Sequence, residues 1–383
     1  MKKDPATVET WELRRSLRNH RAFARCFRFA FISVVVLFLA GLAVAPPVLA
    51  QSSASDWVNS GNAKYKKGDL DGAVTDYSRA IEIDPKYAEA YINRGNAKSE
   101  KGDPDEAIVD LSRAIEINPK YAEAYINRGV AKGKKGDLDG EIADYSRAIE
   151  IDPEYAEAYS NRGLVKRIKG DLDGAVADYS SAIEINPNYA VAYINRGNAK
   201  NEKGDLDGAV ADYSRAIEIA PDYAMAYSNR GNVFQAKGQF DRAVADFNKE
   251  VELNTKDEYA CLRLLVATWL SKGDAGGATA TLRKHIDANS SDDWVRTISK
   301  YYAGTDKMNE EAVLAEARKG KDGKEVRERL CEAYYYLGVK RLVAGNRKGA
   351  VEYFTSSIET DVKSFDEYKT SKALLALMKE GKI

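Results

Sequence analysis

Between residues 105 and 117, apolar side chains fall at Ala107, Ile108, Leu111, Ala114 and Ile115. That i, i+1, i+4, i+7, i+8 spacing puts one stripe on a helix. Pro119 ends it. Upstream, residues 88–101 hold no breaker except Gly95 and read as an earlier helix. The two are joined by Gly102-Asp103-Pro104, a turn in which Gly can take positive φ and Asp can cap the second helix. The pair then recurs. The glycine of the Lys-Gly turn stands at Gly68, Gly102, Gly136, Gly170, Gly204 and Gly238, six times at a spacing of 34, and Pro85, Pro119, Pro153, Pro187 and Pro221 close five of the units. A period of that length predicts a solenoid of stacked helix pairs.

Small and large residues alternate within a unit for a packing reason. Gly95 and Ala107 let the two backbones approach, Tyr91 and Leu111 fill the space beside them, and Ala114 leaves room for the next unit. Tyr125, Gly129, Tyr145 and Ala148 repeat the arrangement, as do Tyr159, Gly163, Ala175, Tyr179 and Ala182 one unit later. With Trp57, Gly61, Ala73, Tyr77, Ala80 and Pro85 in the first unit, this signature resembles the tetratricopeptide repeat (TPR) family. The resemblance implies an all-α protein: a right-handed TPR α-solenoid of helix-turn-helix repeats over residues 51–256, with a degenerate helical carboxyl-terminal cap over residues 257–383. Three departures carry expectations of their own. Arg94, Arg128, Arg162, Arg196 and Arg230 stand where the family has Leu, and their heads are expected to reach water over apolar stems. Glu141 replaces a close-packing alanine and is expected to loosen the third helix pair. Glu250 and Thr255 replace Ala and Pro, so the regular array is expected to end near residue 256.

Beyond it, Tyr259, Trp269 and Lys272-Gly273-Asp274 outline a seventh, degenerate unit, followed by a polar break at residues 289–293 and two short helices over 294–303 and 310–319. The signature returns with Tyr334, Leu337, Gly338, Gly345, Ala350 and Phe354, and a last helix over 366–379 is expected to seal the open end. Leu330-Cys331-Glu332-Ala333-Tyr334-Tyr335-Tyr336-Leu337-Gly338 and Phe365-Asp366-Glu367-Tyr368 resemble the distal part of the NlpI family of bacterial envelope TPR lipoproteins. That resemblance implies a non-catalytic adaptor for periplasmic proteases and cell-wall hydrolases. The lipidation cysteine of that family is not matched.

The amino-terminal segment reads as an address. Residues 1–28 carry eight Lys or Arg against Asp4, Glu9 and Glu12, and no charge follows between Phe29 and Ser55. The apolar run stops at Pro46-Pro47, and Val48 and Ala50 fit a signal-peptide cut after Ala50. An uncleaved anchor over residues 29–50 is the other reading, short for a membrane span. Both export the rest of the chain to the periplasm or cell envelope, with membrane contact only through this segment.

Composition narrows the chemistry. Lys and Arg number 58 against 59 Asp and Glu, a balance that argues against a nucleic-acid binder working through bulk charge. Two histidines and three cysteines make a zinc site or disulfide scaffold improbable. No metal or cofactor is expected. His285 has no nucleophile-base arrangement around it, and Cys261 and Cys331 read as free buried thiols more than as a bridge.

One column of the first helices does carry a binding pattern. Asn59, Asn93, Asn127, Asn161, Asn195 and Asn229 hold the same position in six units, and Asn62, Asn96, Asn198 and Asn232 form a second column broken by Val130 and Leu164. An amide both donates and accepts, so a spaced row of them can pair with the backbone of an extended peptide. The row resembles the asparagine ladder of the O-GlcNAc transferases, which grips extended polypeptide. Ile92, Ile126 and Ile194 beside it are expected to touch the ligand; the opposing reading has them padding the seam between repeats and the asparagines bonding backbone carbonyls. The function expected is a non-catalytic scaffold binding extended peptides or partner proteins in its concave groove. A self-assembling envelope element and an enzyme with its site after residue 256 are the alternatives.

Overall fold

The structure, a computed structural model, describes residues 52–255, 257–273, 276–288, 294–304, 308–363 and 365–383, without the side chains of residues 285, 287 and 288. The basic lead-in, the apolar run, the cleavage position and the polar break at 289–293 lie outside the described residues, and so does the His285 side chain. Nineteen helices and no strand make up the described part. Six pairs form the array: α1 (Ala54–Lys66) with α2 (Leu70–Ile83), α3 (Ala88–Lys101) with α4 (Pro104–Ile117), α5 (Ala122–Lys134) with α6 (Leu138–Ile151), α7 (Ala156–Ile168) with α8 (Leu172–Ile185), α9 (Ala190–Lys203) with α10 (Leu206–Ile219), and α11 (Ala224–Ala236) with α12 (Phe240–Leu253). Then come α13 (Glu258–Lys272), α14 (Gly276–Ala288), α15 (Trp294–Ala303), α16 (Glu310–Ala317), α17 (Gly323–Val343), α18 (Arg347–Glu359) and α19 (Asp366–Lys379).

The turn inside each pair is built from two local devices. Its glycine is left-handed, Gly102 at φ 98° for example, which an L side chain rarely adopts. The following aspartate caps the second helix: Asp69, Asp137, Asp171 and Asp205 each accept from the backbone N–H three residues on, at 2.9–3.0 Å. Asp103 departs from the expectation and makes no side-chain cap. Pro104 stands at the first helical position there, where its fixed φ suits the helix and its missing N–H is one that would have no intrahelical partner in any case.

Between the paired helices sit fully buried Tyr77, Leu111, Tyr145, Tyr179, Tyr213 and Phe247. Each faces a glycine of the partner helix; a Cβ on Gly197 would lie 2.6 Å from the Tyr213 ring and one on Gly231 equally close to Phe247. Glu141 obeys the same rule in reverse. Its carboxylate lies against Gly133, where a Cβ would come within 2.6 Å of the carboxyl carbon, and it accepts from the Tyr145 hydroxyl at 2.8 Å. The third pair is therefore closed by a polar contact and not loosened as its missing alanine suggested. Gly133→Ala should lower stability by about 1–2 kcal/mol although alanine favours helix, because overpacking outweighs the propensity gain. Adding Glu141→Ala should recover the loss; urea melts of the two variants decide it.

The arginines that replace leucine do not put their heads in water. Arg94, Arg128, Arg162, Arg196 and Arg230 form two-pronged bonds of 2.6–2.9 Å to Asp110, Asp144, Asp178, Asp212 and Asp246 on the second helix of their own repeat. The third nitrogen reaches a serine of the preceding repeat, Ser78, Ser112, Ser146, Ser180 or Ser214, at 2.9–3.2 Å. Lys98, Lys132, Lys166 and Lys200 add a second cation to the same buried carboxylates at 2.8–2.9 Å. Planar guanidinium and carboxylate match in this geometry, which is why the burial is tolerated.

Successive first helices approach one another, α1 with α3, α3 with α5, α7 with α9 and α9 with α11, and no pair of successive second helices comes as close. The first helices therefore lie on the inside of the curve.

After α12 the regular stacking gives way to one core reaching from Phe234 to Met378. Glu250, the residue that replaces alanine, is buried and bound by Arg263, and Arg263 stands 34 residues after Asn229 in the asparagine column. The last helix does more than seal an end. It folds back onto α11: Asn232 donates to Asp366 at 2.8 Å and Leu377 lies against Gly238. Behind it Gln235 donates to the Tyr335 hydroxyl at 2.8 Å.

Candidate functional site

The inner stripe of each first helix is read by adding 4, 7 and 11 to its first member, residues that share one face. In the second repeat these are Glu89, Asn93, Asn96 and Glu100; in the third Glu123, Asn127, Val130 and Lys134; in the fourth Glu157, Asn161, Leu164 and Ile168; in the fifth Val191, Asn195, Asn198 and Glu202. Asn93, Asn127, Asn161, Asn195 and Asn229 are half-buried and Asn59, on the first unit, is exposed.

The two asparagine columns are wired to each other. Asn93 Nδ2 donates to Asn62 Oδ1 at 3.2 Å, and Asn229 Nδ2 to Asn198 Oδ1 at 3.0 Å. Each accepting oxygen also receives a tyrosine hydroxyl, Tyr77 and Tyr213, at 2.8 Å. Burial pushes both tyrosines well above their usual range, so the hydroxyls stay protonated and donate. Asn93 and Asn229 thus bond amides of the neighbouring repeat, not backbone carbonyls, and each keeps an oxygen and one N–H for another partner.

The central units lack that wiring. Leu111 stands where the tyrosine would be, so no hydroxyl orients Asn96, and Asn127 Nδ2 is enclosed without a partner. Val130 and Leu164 take the second column in the next two units, and Asn161 and Asn195 have no hydrogen bond within the described residues. Asn232 is already taken by Asp366. Ile92, Ile126 and Ile194 are a correction. They are 1, 3 and 2% exposed and pack into the seams between repeats, out of a ligand's reach.

The residues that sequence reasoning passed over share the same face. Glu89, Glu123 and Glu157 precede their asparagines by one helical turn, and no cation among the described residues pairs with them. Val130, Leu164 and Ile168, the last 58% exposed, make an apolar stretch in mid-groove. Spacings of four residues before the asparagines, for the glutamates, and of three and seven after them, for Val130, Leu164 and Ile168, were the signal that places them on this face.

Other chemistry is sparse. No cluster of His, Cys, Asp or Glu among the described residues could hold a metal, and no described helix is long and apolar enough to cross a membrane. Cys261 and Cys331 are free and buried, and burial pushes the Cys261 thiol up to about 11, away from the reactive thiolate.

A TPR repeat model matches residues 61–102, 95–136, 134–166, 163–201 and 197–238, and a tetratricopeptide repeat model matches residues 224–257. No curated protein matches the chain. Among solved structures, MamA is 31% identical over 45% of this chain and 94% of its own, with a TM-score of 0.40. YrrB, described as a TPR protein with an unusual peptide-binding site, is 25% identical over 46% of this chain and 90% of its own, at 0.39. A tetratricopeptide repeat protein from Parabacteroides merdae is 19% identical over 66% of this chain and 98% of its own, at 0.48.

Proposed function

The chain belongs to the tetratricopeptide repeat family, and from that premise we propose that it is a non-catalytic scaffold holding an extended polypeptide along the inner face of its first helices. The observation that carries this reading is the pair of central asparagines Asn161 and Asn195, which share one column and have no hydrogen-bond partner among the described residues. Asn127, between them and the second repeat, turns its Nδ2 inward and leaves only its oxygen to a ligand. An extended backbone offers N–H and C=O groups that such amides satisfy in pairs, whatever the side chains. Each bond contributes only about 0.5–1.5 kcal/mol net, so grip comes from the row. The helices are preformed, which spares the protein most of its ordering cost on binding.

Replacing Asn127, Asn161 and Asn195 by Ala should weaken binding of a labelled library of about fifteen-residue peptides by roughly tenfold or more, read by anisotropy. Unchanged affinity with an intact circular-dichroism melt opposes the ladder.

The place of work we propose is the bacterial cell envelope. The basic lead-in, the apolar run and the small residues at Val48 and Ala50 support export, and the sequence around Cys331 and Tyr368 supports an adaptor role toward envelope proteases or cell-wall hydrolases. Mass spectrometry of the protein purified from its native envelope tests the export: a mature terminus at Gln51 means a cleaved signal, an intact Met1 in the membrane fraction means an anchor, and an intact chain in the cytoplasm removes the proposal.

A further inference from the structure

We propose that the ligand of this groove is a cationic segment, with basic side chains at about every third position along repeats two to four and an apolar stretch beside them; the inference rests on the groove reading above. The first helices carry many cations, but the two that recur are already neutralised. In repeats two to five the arginine beside the recurring glycine and the lysine one turn later both close on a buried aspartate, as Arg162 and Lys166 do on Asp178 at 2.7–2.9 Å. The charge left over on the inner stripe is asymmetric. Glu89, Glu123 and Glu157 recur once per repeat on the same face as the asparagines and form no ion pair among the described residues, Glu89 accepting only a long bond of 3.4 Å from the Tyr87 hydroxyl. Of the other charges on that face, Glu100 is bound by the Tyr65 hydroxyl, Lys134 is turned onto Ser99, and Glu202 is held by Arg167.

The spacing fits a particular backbone. Packed helix axes lie about 8–10 Å apart, and a polyproline II strand advances about 9 Å in its three-residue turn with its backbone amides unpaired. A ligand in that conformation presents one side chain per turn to each repeat and leaves its N–H and C=O groups to the asparagines. Three carboxylates in a row then meet three Lys or Arg. Further along the same column stand Val191 and Met225, where carboxylates give way to apolar surface, and Val130, Leu164 and Ile168 flank the row. The groove is closed beyond this by α19 at Asn232, which leaves a ligand no path into the seventh unit.

The experiment compares three labelled twelve-residue peptides, each about four turns long, built on Lys-Pro-Val, Gln-Pro-Val and Glu-Pro-Val repeats, against the full chain at low and high salt. The expected result is that the Lys peptide binds about tenfold more tightly than the Gln peptide at low salt and loses that margin as salt rises. Glu89→Gln, Glu123→Gln and Glu157→Gln together should erase the margin, and the three Lys replacements should turn the preference toward the Glu peptide. Equal binding of all three peptides, abolished by the asparagine replacements, would leave the ladder standing and overturn the cationic ligand. No binding of any peptide overturns both. A Lys-peptide margin that survives the Gln replacements places the charge elsewhere and also overturns the proposal.

Discussion

Asp178→Ala should destabilise the middle of the array by about 3 kcal/mol, more than any single surface change. Asp178 is 4% exposed and accepts from Arg162 at 2.7 and 2.9 Å and from Lys166 at 2.9 Å. Removing it leaves two half-buried cations facing a void. The carboxylate itself is not what stabilises the fold relative to an apolar residue, since burying ions is costly. The combined change Arg162→Met with Asp178→Leu should therefore lose far less than Asp178→Ala alone. The exposed pair Arg147–Glu150 supplies the contrast, because Arg147→Ala should move stability by under about 0.5 kcal/mol. Urea denaturation followed by circular dichroism reads all three. A loss for Asp178→Ala as small as that for Arg147→Ala would mean the buried carboxylate is dispensable.

The second large effect is a loss of stability with rising pH in the carboxyl-terminal part. Glu332 on α17 is buried, and it accepts from Trp294 Nε1 at 2.7 Å and from the Tyr259 hydroxyl at 3.1 Å. Glu367, in the first turn of α19, faces it. Burial raises both carboxyls above their ordinary range, and the remaining neighbours do not cancel this: Glu328 and Asp366 raise them further, while Arg263 and Lys369 pull Glu367 only partly back. The unfolded chain gives up these protons near the usual carboxyl range, whereas the folded chain keeps them to higher pH. Between the two values the folded state binds more protons, so stability is greatest on the acid side and falls as pH climbs through the folded values. The melting temperature of the carboxyl-terminal part, followed by tryptophan fluorescence at Trp269 and Trp294, should drop by several degrees between about pH 5 and pH 9. Glu332→Gln should flatten the profile and be the more stable form at the alkaline end. A melting temperature that rises steadily over this range, or a variant with the parent slope, contradicts the assignment.

Much of this fold is legible in the order of residues alone. The 34-residue spacing and the glycine-aromatic alternation are local signals with one solution, and helix pairs follow from them. Long-range pairing is what escapes. Arg94 looks like an amphipathic cover for apolar surface until Asp110, 16 residues on, is seen to lie across the helix pair from it. Glu141 looks like a packing fault because the glycine that accommodates it, Gly133, is on the other helix. Ile92, Ile126 and Ile194 neighbour the asparagines in sequence, yet one residue along a helix is a turn of about 100°, and that rotation carries them into the seam. The carboxylates one helical turn ahead of the asparagines are the converse case, distant in the written order and adjacent on the face. The return of α19 onto α11 has no signal at all, since contacts made by a single copy leave no period to detect.

That return gives the molecule a polarity. Every joint from the second repeat to the sixth uses the same arginine, aspartate and serine, so a spare 34-residue cassette spliced between the third and fifth repeats would find its fittings waiting on both sides. At α11 the fittings differ, because Asn232 and Gly238 are keyed to one helix that occurs once. Gene duplication can lengthen such a molecule from within, as a zip fastener is lengthened, while the end stop keeps its place against the last tooth.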